Sequence, residues 1–143
     1  MDRLGVYIHI PFCARKCPYC DFYSTKYDKE TVSCYIDALI RNFRAFKEEN
    51  GKKEIVSVYF GGGTPLLLSP SQFDVILSSL LECFSFSDDI EITAEANPSM
   101  SDKNKLSLYR KTGINRISFG VQSFNDNELK ALKRTHTAEG AKR

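Results

Sequence analysis

The sequence predicts an α/β fold built on a parallel sheet with covering helices, about four βα units long. Two observations carry this. Four β-branched or aromatic runs of strand length alternate with stretches in which apolar residues return every three or four positions. In addition, each cysteine, glycine, glutamate and glutamine motif falls where one of the strand-like runs stops. Strict alternation of strand and helix argues a parallel sheet, because parallel neighbours need a long crossover and a helix supplies it.

The first strand is Leu4 to Ile10, ended by Pro11 and read as buried on its β-branched and aromatic content. A cysteine-bearing loop follows. From Lys29 to Glu49, Val32, Tyr35, Ile36, Leu39, Ile40, Phe43 and Phe46 form one apolar stripe on a long helix, and Gly51 stops it. Glu54 to Phe60 is the second strand and runs into Gly61-Gly62-Gly63-Thr64-Pro65. The next helix spans about Ser71 to Phe84, with Phe73, Ile76, Leu77, Leu80, Leu81 and Phe84 inward and Ser69 or Ser71 at its cap. Asp89 to Ala96 is the third strand, Asp102 to Thr112 a helix closed by Gly113, Asn115 to Val121 the fourth strand, and Asn125 to Lys133 the helix after it. Thr137 is placed to cap one more helix, whose first turn has barely begun when the sequence stops, so the chain reads as truncated.

With 143 residues, 42% hydrophobic and 27% charged, the chain has the size and composition of one globular domain and is not compositionally disordered. A net charge of +2 is too small to argue for nucleic acid or an anionic membrane surface. The N-terminus shows no basic-then-apolar leader, and nothing approaches the ~20 apolar residues of a membrane span, which sets the expectation of a cytoplasmic protein. Five cysteines, three clustered and two isolated (Cys34 and Cys83), do not look like a disulfide framework.

Cys13, Cys17 and Cys20 are spaced C-x3-C-x2-C directly after the first strand, and three thiols so close in sequence imply a metal. A structural zinc wants a second ligand pair, and none follows. Cys17 and Cys20 alone would suggest a redox pair, but Cys13 argues against that. Iron–sulfur chemistry fits better, because a four-iron cluster on three cysteines keeps one iron for a ligand from outside the chain. The glycines after the second strand let backbone approach a ligand closely and offer N–H and C=O groups to a charged moiety; without a following Lys-Ser/Thr they are not a phosphate-binding P-loop. Glu95 sits in a strand that reads as apolar, and an unpaired carboxylate there is costly to bury, so a positive partner is expected. His9 falls on the same side of its strand as Tyr7; it reads as a hydrogen-bonded core residue, and neither it nor His136 is given a role.

At Tyr7-Ile-His-Ile-Pro-Phe-Cys13 and Cys17-Pro-Tyr-Cys20-Asp-Phe22, the chain resembles the radical S-adenosylmethionine (SAM) superfamily. Within it, the resemblance is to the branch that holds oxygen-independent coproporphyrinogen III oxidases and HemW-type heme chaperones. It continues through Gly61–Pro65, Glu95–Pro98 and Ser118–Phe124 to Arg134. It implies an incomplete (β/α)6 barrel, of which residues 1–143 would be the N-terminal portion, and a [4Fe–4S] cluster on Cys13, Cys17 and Cys20 whose open iron chelates SAM. It implies further that Tyr7, Tyr19, Gly62, Gly63, Thr64, Glu95, Gln122 and Arg134 contact SAM, Tyr7 and Tyr19 from positions that flank the cluster. For Arg134 a surface salt bridge, and for Tyr7 and Tyr19 plain core packing, remain the alternatives.

The resemblance implies cluster-driven cleavage of SAM to methionine and a 5′-deoxyadenosyl radical as the superfamily's chemistry. For this branch it implies a heme or porphyrin ligand and a heme-acceptor protein as partner. Two readings follow: a heme chaperone that retains SAM, with or without turnover, and an oxidase that decarboxylates two propionates of coproporphyrinogen III. In the oxidases a further cysteine stands two residues after the third ligand, and an extension precedes the first strand. Here that position is Phe22 and Tyr7 comes six residues from the start, so the resemblance favours the chaperone.

Overall fold

The computed structural model describes residues 2–100 and 102–142. Its centre is an open sheet of four strands, β1 (Arg3–Ile10), β4 (Glu54–Gly62), β5 (Ser85–Ala96) and β6 (Arg116–Phe119), hydrogen-bonded in the order β1-β4-β5-β6 with every pair parallel. Two short strands, β2 (Phe12–Cys13) and β3 (Thr25–Lys26), make a separate parallel ladder at the stem of the cysteine loop. The crossovers are α1 (Lys29–Asn50), α2 (Pro70–Cys83) and α3 (Lys103–Lys111), and two short helices follow, α4 (Asp126–Ala131) and α5 (Ala138–Lys142).

Helix ends follow local chemistry. Asp28 accepts from Thr31 N at 2.8 Å and starts α1; Gly51, at φ 71°, ends it by donating to Lys47 O at 2.8 Å. Ser69, not Ser71, caps α2, through a reciprocal pair with Gln72. Asp102 caps α3 by accepting from Lys105 N, and the helix closes on Thr112 with Gly113 beyond it at φ 107°.

Register decides which side chains share a face. Tyr7 lies opposite Tyr59, Tyr59 opposite Thr93, and Glu95 opposite Ser118. With a period of two, Ile8, Ile10, Val58, Phe60, Ile92 and Ala94 fall on the other face, where they are buried with Val32, Ile36 and Phe43 of α1 and Phe73, Ile76, Leu77 and Leu80 of α2. Phe73 meets Phe60 and Tyr109 edge-on at 4.9 and 5.5 Å. The result is one helix-covered apolar face and one carrying Tyr7, His9, Tyr59 and Glu95.

Several expectations are corrected. The first strand is an edge strand, buried only at Ile8 and Ile10, while Tyr7 is 59% exposed. Leu81 points outward at 52% exposure, because it lies off the stripe that meets the sheet. Phe46 is also largely exposed, held only by its edge contact with Phe84. The fourth strand stops at Phe119: Gly120 still donates to Ala96 O, but Val121 N turns back onto Phe119 O at 2.9 Å and Gln122 takes positive φ.

Tyr109 connects this core to the site. Its buried hydroxyl reaches Leu68 O at 2.8 Å and Leu66 O at 3.1 Å, fixing the turn that follows the glycine motif, and burial pushes its pKa up to about 12. Tyr109→Phe leaves those carbonyls unpaired and is expected to destabilise the domain by about 1–3 kcal/mol, read as a lower urea midpoint with an unchanged slope.

Candidate functional site

A cavity of about 570 Å³ opens where the parallel strands end, within the range of roughly 300–1,000 Å³ typical of small-molecule sites. Ten of the eleven residues singled out from the sequence line it: Cys13, Cys17, Tyr19, Cys20, Gly62, Gly63, Thr64, Glu95, Gln122 and Arg134. The eleventh, Tyr7, does not. It stands on the neighbouring open face and stacks on Tyr59, ring centroids 6.1 Å apart.

The cysteine loop is fastened at its entry. Gly63 N donates to Ile10 O and Thr64 N to Phe12 O, both at 2.8 Å, while Tyr27 N donates to Cys13 O at 2.9 Å. A turn from Cys20 N to Cys17 O at 3.1 Å then folds the C-x2-C segment back on itself. All three thiols are partly buried on the cavity wall. They are not drawn together as around a single ion: among the described residues no group of three or more His, Cys, Asp or Glu side chains is.

The glycines have different work from that expected. A Cβ on Gly63 would lie 2.6 Å from Phe12 O and 3.0 Å from Cys13 Sγ, so the close approach it permits is to the cysteine loop itself. Gly62, at φ 108°, leaves room for the His9 ring. The amide N–H groups of Gly62, Gly63 and Thr64 are all taken within the chain, by Glu95 Oε2, Ile10 O and Phe12 O. Thr64 O is taken as well, by Leu67 N at 3.0 Å, so what this backbone can offer a ligand is the carbonyl oxygen of Gly62 or Gly63, which suits a cationic group.

Glu95 is half-buried, and its carboxylate accepts from Tyr59 OH at 2.8 Å and Gly62 N at 3.2 Å. Within the described residues its partners are thus two neutral donors. Among the described residues the ion pairs are Arg3–Glu54, Lys53–Asp2 and Arg116–Glu91, none of which involves Glu95. A carboxylate has about four lone-pair positions, so capacity remains for a cation.

Arg134 comes to the cavity from the chain after α4 and, among the described residues, makes no salt bridge. Its Nη2 donates to Gly120 O at 2.6 Å, and Nη1 to Tyr19 OH at 3.2 Å and to Cys17 Sγ at 3.8 Å. Its buried Nε has no hydrogen-bond partner. Burial raises the Tyr19 hydroxyl pKa, partly offset by the Arg134 charge. Arg15 adds a second tie, donating to Lys133 O at 2.9 Å. Gln122 and Lys133, at φ 71° and 54°, are the positive-φ non-glycine residues among those described, and both line this cavity. Such backbone costs about 1–3 kcal/mol each and collects at functional sites.

Other wall residues escaped sequence reasoning. Ser99 and Met100 come from the short turn after β5, and Thr135 follows Arg134, its hydroxyl 3.3 Å from that of Ser99. Only their position after a strand end or beside a marked residue could have pointed to them. Tyr59, off the wall itself, escaped sequence reasoning too, since alternation gives faces within a strand and the β4–β5 register is needed to set Tyr59 on the face of Glu95.

Three thiols on one wall, a carboxylate held by neutral donors, the carbonyl oxygens of the glycine loop and a buried guanidinium nitrogen without a partner among the described residues are groups that would fit an iron–sulfur centre and a zwitterionic ligand with a cationic end. The chain belongs to the radical SAM superfamily, whose family profile matches residues 7–143. It is 41% identical to the heme chaperone HemW of Haemophilus influenzae, over 99% of this chain and 38% of that protein. It is 39% identical to HemW of Escherichia coli, over the whole of this chain and again 38% of the relative. Among solved structures it superposes on the coproporphyrinogen III oxidase HemN of Escherichia coli, a radical SAM enzyme, with a TM-score of 0.84 and 30% identity over 97% of this chain and 32% of that one. The chain thus spans under two fifths of the length of these relatives. Among the described residues no helix is long and apolar enough to cross a membrane.

Anaerobic reconstitution of the full-length protein with iron and sulfide is expected to give a brown protein with about four irons per chain. Cys13→Ala, Cys17→Ala or Cys20→Ala each abolishes this. Gly63→Ala lowers it too, because the new methyl group displaces Cys13. Tight stoichiometric zinc with no cluster formed would overturn the assignment.

Proposed function

We propose that residues 1–143 are the N-terminal portion of the radical SAM core of a heme chaperone of the HemW kind, which binds a [4Fe–4S] cluster and SAM and passes heme to an acceptor protein. The observation that carries this is the convergence of Cys13, Cys17 and Cys20 with the glycine loop, Glu95, Gln122 and Arg134 on one cavity at the ends of parallel strands.

When bound, the cluster supplies one-electron chemistry and keeps one iron for a ligand from outside the chain. Cys13, Cys17 and Cys20 hold it as thiolates. Glu95, steadied by Tyr59 and Gly62, and the carbonyls of the glycine loop meet the ammonium and sulfonium of SAM. Arg134 Nε meets its carboxylate, and Tyr19 and Gln122 close the wall between them. Together these residues orient the ligand and keep water and oxygen from it.

Phe22 supports the chaperone over the oxidase. It lines the cavity, 66% exposed, at the position where the oxidases are expected to carry a further cysteine, and a phenyl ring has neither the redox chemistry nor the ligand capacity of a thiol. The structural likeness to HemN supports the second reading, so the test must separate the two.

In the reconstituted full-length protein, SAM is expected to change the electron paramagnetic resonance signal of the reduced cluster. Glu95→Ala should weaken SAM binding on the order of ten- to a hundredfold, the loss of a charge-assisted contact, with iron content intact. An unchanged affinity would make Glu95 structural. Given heme, the protein is expected to bind it; incubated anaerobically with SAM, a reductant and coproporphyrinogen III, it is expected to release no decarboxylated porphyrin, and sustained product would assign it to the oxidases.

A further inference from the structure

His9, buried to an intermediate degree on β1, lies inside the Tyr7–Cys13 motif without a role assigned to it, yet three segments of the chain meet at its ring. Nε2 lies 2.9 Å from Tyr23 O and Nδ1 3.1 Å from Tyr7 OH. A carbonyl oxygen can only accept, so Nε2 carries the proton. In the neutral ring Nδ1 then holds a lone pair, and the Tyr7 hydroxyl donates to it. The ring also fills the space that a side chain on Gly62 would need: a Cβ there would lie 2.6 Å from Cε1 and 2.7 Å from Nδ1. Behind it, the Tyr35 hydroxyl of α1 donates to the His9 carbonyl, so strand and helix fix the ring's origin.

The Tyr23 carbonyl stands three residues past Cys20 and two before the β2–β3 ladder resumes the fold at Thr25. The loop's entry is held by Gly63 and Thr64 and its stem by the β2–β3 ladder, where Thr25 N donates to Pro11 O and Tyr27 N to Cys13 O; between Cys20 and that ladder, His9 adds a side-chain tie at Tyr23. We infer that His9 is a positioning residue that, as the Nε2–H tautomer, anchors the exit of the cysteine loop to the sheet and so sets how firmly the loop keeps its metal centre. This rests on reading Cys13, Cys17 and Cys20 as cluster ligands.

The experiment uses the full-length protein. In the 15N-labelled apo form, long-range ring correlations, assigned by their loss in His9→Asn, are expected to show His9 protonated at Nε2; protonation at Nδ1 alone would overturn the proposal. In the reconstituted form, loss of the cluster to a chelator under anaerobic conditions is followed by its absorbance. His9→Leu is expected to lose it tenfold faster or more. His9→Gln, whose amide nitrogen reaches where Nε2 was, should return the rate to within twofold of wild type. His9→Asn, which keeps an acceptor for Tyr7 but not the reach to Tyr23, should not, and Tyr7→Phe should leave the rate unchanged. Wild-type kinetics in His9→Leu, or equal rescue by Asn and Gln, would overturn the anchoring role. A wild-type protein that forms no cluster would overturn the ligand assignment instead, which separates the two failures.

Discussion

Two backbone hydrogen bonds, from Gly63 to Ile10 and from Thr64 to Phe12, set the geometry on which the rest of the site depends. They extend the β1–β4 register past the end of the strands, so that the cysteine loop leaves the sheet directly against the glycine loop. Because these amides bond to the chain's own backbone, they are not donors to the cavity, and the nearby groups that reach it are acceptors, the Glu95 carboxylate among them. The absence of a side chain at Gly63 follows from the same constraint, since any Cβ would press on Phe12 O and Cys13 Sγ.

The second constraint comes from far along the chain. Arg134 is 117 residues from Cys17 in sequence, and its guanidinium joins Gly120, Tyr19 and Cys17 across the cavity mouth. Arg15 repeats the tie in the opposite direction. A loop that is short of regular structure thereby acquires fixed walls, and the cavity becomes a property of the fold rather than of the cysteine loop alone.

Much of this was legible in the sequence. Periodicity located the four main strands and the three crossover helices, because each buries a stripe or face large enough to leave a pattern in the choice of residues. The caps at Asp28, Ser69 and Asp102 follow from side chains that bond their own backbone. What stayed hidden depends on contacts between distant segments. The β2–β3 ladder has two residues a side, too few to show a period. An edge strand and a central one read alike when both carry Val, Ile and Tyr, so the exposure of Tyr7 could not be seen. The neutral donors to Glu95 stayed hidden because a carboxylate in a strand announces its need for partners but not their kind, and Tyr59 and Gly62 reach it from another strand. His9 was passed over because alternation gives the side of the sheet and nothing about what waits there.

Gln122 and Lys133 hold left-handed backbone beside the cavity, a conformation that glycine would adopt at less steric expense. Relief of strain at either position lies within reach of a single substitution, yet it would remove a side chain from the wall and add freedom to the segments that carry Arg134 and leave β6. The chain therefore keeps a local tension between persistence and activity: the changes that would make it harder to unfold are, at these two positions, the ones that would let the cavity lose its shape.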